Sequence, residues 1–214
     1  MLENISVLYH SSIKIEKGKT IYIDPFKIQE KYADADIIFI THDHFDHYSE
    51  EDIEKIRKND TLIIIPEDLL PKVLENGFLR ENIITVEPNN NYSVEGIEFE
   101  TIPSYNTNKQ FHPKENGWVG YIINIEKVRY YIAGDTDITE ENKKVKCDVA
   151  FVPVGGTYTM TYDEAATLIN EIKPKIAVPI HYGDIVGTKD DAVKFSELVS
   201  PKIKCEIIMK IIMK

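Results

Sequence analysis

Three of the chain's six histidines fall within Thr41-His42-Asp43-His44-Phe45-Asp46-His47, interleaved with aspartates. Imidazole and carboxylate groups together are the ligand set of zinc, manganese or iron sites that keep a coordination position open for water. His42 and His44, two residues apart, can bring ring nitrogens to one ion, while Asp46 and His47 turn toward a second. Other chemistries find no support. Cys147 and Cys205 form no Cys-x-x-Cys pair, and Gly18-Lys19-Thr20 lacks the leading glycine of a phosphate loop, with Ile13 in its place. No Gly-x-Ser-x-Gly elbow occurs.

The elements around that loop must hold it rigidly. Asp36-Ile37-Ile38-Phe39-Ile40 is apolar without alternation, which predicts a strand covered on both faces. Ser49 predicts a helix start, with Glu50, Glu51 and Asp52 in the dipole-favoured first turn. The loop between them lies beyond a strand's carboxyl end, where α/β sheets place their ligands. Upstream, short runs at Ile5 to Tyr9, Ser12 to Glu16 and Thr20 to Ile23 predict a β-meander closed by Asp24-Pro25. Downstream, strands at Thr61 to Ile65 and Ile83 to Val86 flank a helix over Glu67 to Glu75.

A second half repeats that order. Strands are expected at Ile97 to Ile102, Val119 to Ile125 and Val128 to Ala133, then a short helix after Asp137 and a strand at Val149 to Val152. A helix from Tyr162 to Ile172, a strand at Ile176 to Ile180, a helix from Asp190 to Val199 and a strand from Ile203 to Met209 complete it. The expectation is one α/β (α+β) domain over residues 1–214, with two mixed sheets packed face to face and helices outside.

His42-x-His44-x-Asp46-His47 resembles the H-x-H-x-D-H signature of the metallo-β-lactamase superfamily, whose fold is an αββα sandwich. The resemblance implies a bridging carboxylate at Asp135, after the strand ending at Ala133, and a last metal histidine at His181, after Ile176 to Ile180. It also implies a histidine just after Ile97 to Ile102, where this chain has Tyr105-Asn106. His112 is the histidine left in that region and is assigned as the third ligand of the first ion, with Asn106 or water as the alternative. The implied site is two divalent ions, zinc first and manganese or iron as alternatives. His42, His44 and His112 hold one ion, Asp46, His47 and His181 the other, and Asp135 bridges them. Asp46 also orients the metal-activated hydroxide or carries its proton.

His10 and Asp24-Pro25 resemble the lactonase-like branch that includes L-ascorbate-6-phosphate lactonase. For both residues an ordinary turn and a place beside the metals are open readings. So are an anion-binding turn and a simple tight turn for Gly155-Gly156, and oxyanion donation by Asn106, Tyr158 or Tyr182. The activity implied is hydrolysis of a small-molecule ester, lactone or phosphoester by a metal-bound hydroxide. The alternatives are a non-catalytic metal-binding or sensing protein, motivated by Asn106, and a phosphodiesterase or nuclease.

Composition bounds the partners. Twenty-five Lys and Arg against thirty-six Asp and Glu give a net charge of -11, which disfavours a long polyanion such as nucleic acid on the surface. Two divalent ions would make the cleft locally positive, so a small anionic substrate is not excluded. Two distant cysteines and an N-terminus without a cationic and then apolar run fit a cytoplasmic protein. The apolar stretch Ile207 to Lys214 is broken by lysine, so no membrane partner is expected. A homo-oligomer is left open.

Overall fold

The computed structural model describes residues 1–209. The chain forms two compact units, Leu2–Glu87 and Pro88–Ile208, the second of which also takes in Met1.

In the first unit, β1 (Ile5–Tyr9), β2 (Ser12–Lys17) and β3 (Lys19–Ile23) pair antiparallel. β4 (Ala35–Phe39), β5 (Arg57–Pro66) and β6 (Ile83–Val86) then extend the sheet in parallel, in the order β1 to β6. Parallel strands need crossovers, supplied by α1 (Glu50–Ile56) and α2 (Leu70–Glu75). Ser49 caps α1 as expected, and Ile53 and Ile56 are buried with Ile38, Ile40, Ile63 and Ile65. Removing that aliphatic surface from water is what holds helix to sheet. The helix expected from Glu67 begins as a 3-10 turn, Glu67–Leu69, and becomes regular where Pro71 suits the first turn.

The second unit repeats this plan. β7 (Asn91–Val94), β8 (Ile97–Pro103), β9 (Val119–Ile125) and β10 (Val128–Ile132) are antiparallel neighbours. β11 (Val149–Pro153), β12 (Ile176–Ile180) and β13 (Lys204–Cys205) add in parallel, with α3 (Tyr162–Ile172) and α4 (Lys189–Leu198) as crossovers. A Thr161–Glu164 capping box starts α3, and Ala165, Leu168, Ile169 and Ile172 form its buried stripe. The edge strand β7 is not expected from sequence, because the polar and apolar alternation of Asn91-Tyr92-Ser93-Val94 lasts only four residues.

Two expectations for this unit are corrected. After Asp137 there is a single 3-10 turn, Asn142–Lys144, because side chains compete with helix for the backbone. Asn142 Oδ1 accepts from Thr139 N at 2.9 Å, Thr139 Oγ1 accepts from Asn142 N at 3.0 Å, and Asn142 Nδ2 donates to the Asp137 carbonyl at 2.8 Å. The last strand is confined to Lys204–Cys205 rather than reaching Met209, and 210–214 of the terminal apolar stretch lie outside the described residues. Among the described residues no helix is long and apolar enough to cross a membrane.

Both units also clamp the amino ends of their parallel strands with an aspartate. Asp36, at the start of β4, accepts from Thr20 N at 2.7 Å and pairs with Lys58 at 2.5 Å. Asp148, just before β11, accepts from Arg129 N at 2.9 Å and pairs with Lys175 at 2.8 Å. The Arg129 N–H and then Lys175 hold the Asp148 carboxyl below the ordinary range. At Asp36 burial opposes ionisation, but Lys58 and the Thr20 N–H outweigh it and the shift is again downward.

Candidate metal centre

The strand ends opposite those clamps carry the donor side chains. In the first unit, Asp24 follows β3 and Thr41-His42 follows β4 by two residues. Asp24 is wholly buried and sits at φ 46, the left-handed region, which turns its side chain sharply off the strand. Its Oδ1 accepts from Thr41 N at 2.8 Å and its Oδ2 from Thr41 Oγ1 at 2.7 Å. Its Oδ2 also lies 2.7 Å from His47 Nδ1. Burial pushes the Asp24 carboxyl above the usual range, against the opposing pull of His47 and Thr41.

This network fixes tautomers. With Asp24 ionised, Thr41 gives its one hydroxyl hydrogen to that carboxylate, so at His42 Nδ1, 3.0 Å away, the hydroxyl accepts. His42 and His47 therefore both carry hydrogen on Nδ1 and present an Nε2 lone pair, the arrangement in which an outer partner orients a metal-binding imidazole. His44 supplies Nδ1 at 3.1 Å from His42 Nε2. Its carbonyl accepts from His47 N at 2.9 Å and Tyr48 N at 2.8 Å, closing the loop into a tight turn. A 2.5 Å Lys72–Asp43 pair ties the loop to α2. Asp46 Oδ2 stands 3.6 Å from His47 Nε2 and 3.4 Å from His10 Nε2.

In the second unit the donors come from three places. Asp135 follows β10 after Gly134, which is at φ 66. Gly120 on β9 lets that turn pass close, since a Cβ there would lie 2.6 Å from the Ala133 carbonyl oxygen. His181 directly follows β12 at φ 58, and Gly155 lies against its backbone so closely that a Cβ would collide with the His181 carbonyl. His112 comes from the loop between β8 and β9. Asp135 Oδ2 lies 3.0 Å from His181 Nε2 and 3.3 Å from His112 Nε2, and all three residues are buried.

The residue standing where a histidine was expected serves His112. Asn106 Oδ1 accepts from His112 N at 3.0 Å and lies 3.1 Å from His112 Nδ1, while Asn106 Nδ2 donates to the Tyr158 carbonyl at 2.9 Å. His112 thus carries its hydrogen on Nδ1 and turns Nε2 toward Asp135. Asn106 Oδ1 is committed to His112 and one Nδ2 hydrogen to the Tyr158 carbonyl. In the Gly155-Gly156 turn, Gly156 N donates to Met160 O and Tyr158 N and Thr159 N donate to Gly156 O, so three of its N–H groups are used within the turn. Tyr182 is buried, its hydroxyl has no hydrogen-bond partner among the described residues, and burial pushes its pKa up to about 12.

Within each unit the donor set fits a divalent ion. Two ligand atoms at about 2.1 Å from one ion, at angles of about 90–120°, stand about 3.0–3.6 Å apart. The His42–His44, Asp46–His47, Asp135–His112 and Asp135–His181 spacings lie in that interval. Thr41 and the orienting role of Asn106 were missed by sequence reasoning, for which a threonine before a loop and an asparagine in one carry no distinctive signal. The mid-strand Gly120 does signal close backbone approach.

A family model described as Beta-lactamase superfamily domain matches residues 4–181. A UPF0173 metal-dependent hydrolase of Lysinibacillus sphaericus is 31% identical over 212 residues, 91% of this chain and 92% of the relative. The crystal structure of a Parabacteroides distasonis protein, 30% identical, superposes with a TM-score of 0.82 over 96% of this chain and 93% of the other. Igni18, a metallo hydrolase from Ignicoccus hospitalis, shares the fold at 22% identity, with a TM-score of 0.79 over 96% and 94%.

Proposed function

The chain belongs to the metallo-β-lactamase superfamily and is a metal-dependent hydrolase, and from that premise we propose that it cleaves a small-molecule ester, lactone or phosphoester at a two-ion centre. The observation that carries this reading is the oriented state of the donors. Three imidazoles, His42, His47 and His112, have Nδ1 held by Thr41, Asp24 and Asn106, leaving Nε2 for coordination.

The proposed ligands are His42, His44 and His112 for one ion and Asp46, His47 and His181 for the other, with Asp135 shared. Zinc is the first choice and manganese or iron the alternatives, since imidazole and carboxylate suit all three. Such ions supply a water that ionises near neutral pH and a Lewis acid for the substrate oxygen. Asp46 orients the nucleophile and takes up its proton. Tyr182, which directly follows the proposed ligand His181, is one of the groups that could donate to the oxyanion, with Asn106 and Tyr158 the others. Phe45 is 67% exposed between His44 and Asp46 and packs edge-on against Phe26 at 5.9 Å, which supports a substrate with an apolar portion.

The lactonase-like branch belongs to this reading and tilts it toward a lactone. The departure at Asn106 no longer favours a non-catalytic protein, because His112 with Asn106 behind it supplies an oriented imidazole. The test is a panel of lactones, esters and phosphodiesters with metal-loaded protein and His42→Ala as control. Turnover of at least one class, lost in the control, is expected; a chain holding two ions that turns over none would move the reading to metal sensing.

A further inference from the structure

Each unit centres on one carboxylate oxygen bracketed by two imidazole Nε2 atoms. In the second unit Asp135 Oδ2 lies between His181 at 3.0 Å and His112 at 3.3 Å. In the first, Asp46 Oδ2 lies between His47 at 3.6 Å and His10 at 3.4 Å. The superfamily signature and its later positions account for His47 and His181, His112 stands in for the histidine replaced at Asn106, and His10 is the fourth. Its spacing from Asp46 falls in the interval for two ligands of one ion.

The place of His10 is unusual on other grounds. His10-Ser11 is the two-residue connection of the β1–β2 hairpin, with Tyr9 paired to Ser12, and such connections ordinarily lie on the surface. Here His10 is 1%, Ser11 3% and Ser12 0% exposed. Both serine hydroxyls are buried without a hydrogen-bond partner among the described residues, and a buried polar group left so costs about 1–3 kcal/mol. His10 itself takes φ 51, which a non-glycine residue adopts at a cost. A hairpin tip held inside against these costs has a purpose beyond reversing the chain.

We propose that His10 is a direct ligand, through Nε2, of the ion that takes Asp46. The proposal rests on the functional reading above and extends it. With that ligand the ion takes three donors from the first unit alone, His10, Asp46 and His47. An additional neutral ligand lowers the Lewis acidity of that ion and strengthens its retention, which makes it the more tightly held and less reactive of the two.

The test is cobalt(II) loading followed by proton NMR. An Nε2-ligated imidazole shows one solvent-exchangeable, hyperfine-shifted Nδ1–H resonance. Relative to wild type, His10→Ala should lose one such resonance, and the cobalt that wild type holds the more tightly should bind at least about 100-fold more weakly in chelator competition, with the other unaffected. His10→Gln, closer in volume, is measured alongside, and the metal-free melting temperature of each variant checks folding. If both variants load two ions and keep the full set of shifted resonances, His10 only touches Asp46 and the assignment is overturned, while the functional reading stands. A wild-type chain that takes up no cobalt would overturn both.

Discussion

In the first unit four donors come from six consecutive positions, His42 to His47, whereas in the second His112, Asp135 and His181 come from three separate connections. The consecutive donors owe their geometry to a local turn, closed through the His44 carbonyl and braced by Thr41 and Asp24. The dispersed donors owe theirs to the sheet: Gly120 and Gly155 permit the close backbone approaches beside Asp135 and His181, and Asn106 orients His112. The lesson is that equivalent donor spacing can be specified by a loop's own hydrogen bonds or by the packing of strands. Damage should therefore spread differently in the two units.

The largest effect should come from the donors themselves. His42→Ala and Asp135→Asn are each expected to lower turnover of the metal-loaded protein on the order of 10³-fold or more, read as kcat/KM on whichever substrate class responds. Equal losses support one shared centre; a loss confined to one unit's variant would separate them. Next come the residues behind the donors. Asp24→Asn and Asn106→Ala should each weaken metal binding by about 10–100-fold in chelator competition. The Asp24 variant should also lower the melting temperature of the metal-free protein more, because Asp24 braces Thr41 and His47 together.

Backbone approach sharpens the contrast. Gly155→Ala should cost about 1–3 kcal/mol of stability, seen in urea melts, and weaken metal binding by displacing His181. No comparable glycine packs inside the His42–His47 loop, so single alanine changes at Asp43 or Phe45 should leave metal affinity within a few-fold. The smallest effect concerns the clamps. Asp36 and Asp148 both have carboxyls held low, so each contributes stability that is present above the unfolded value of about 3.9 and is lost as pH falls through the lower folded value. Asp36→Asn and Asp148→Asn should each flatten the decline in melting temperature below about pH 4 while leaving metal content at neutral pH unchanged.

The same contrast explains what the sequence made legible. The strands and helices flanking the first cluster were readable because apolar runs and caps such as Ser49 act locally. The loop was readable because its donors are adjacent. Asp135 and His181 could be placed only through a family pattern, since a lone aspartate after glycine and a lone histidine after a strand are ordinary residues. His112 was harder still, because its role depends on Asn106 folding back across six residues. Thr41 and the edge strand β7 could not be read, the first because its importance lies in where one hydroxyl hydrogen goes, the second because four residues alternating polar and apolar are too few to stand out.

Metal content of protein purified without added metal, measured by elemental mass spectrometry for wild type and His42→Ala, tests the central claim most directly. The account predicts two divalent ions per wild-type chain and a clear drop in the variant. Fewer than one ion per chain, unchanged by His42→Ala, would contradict it.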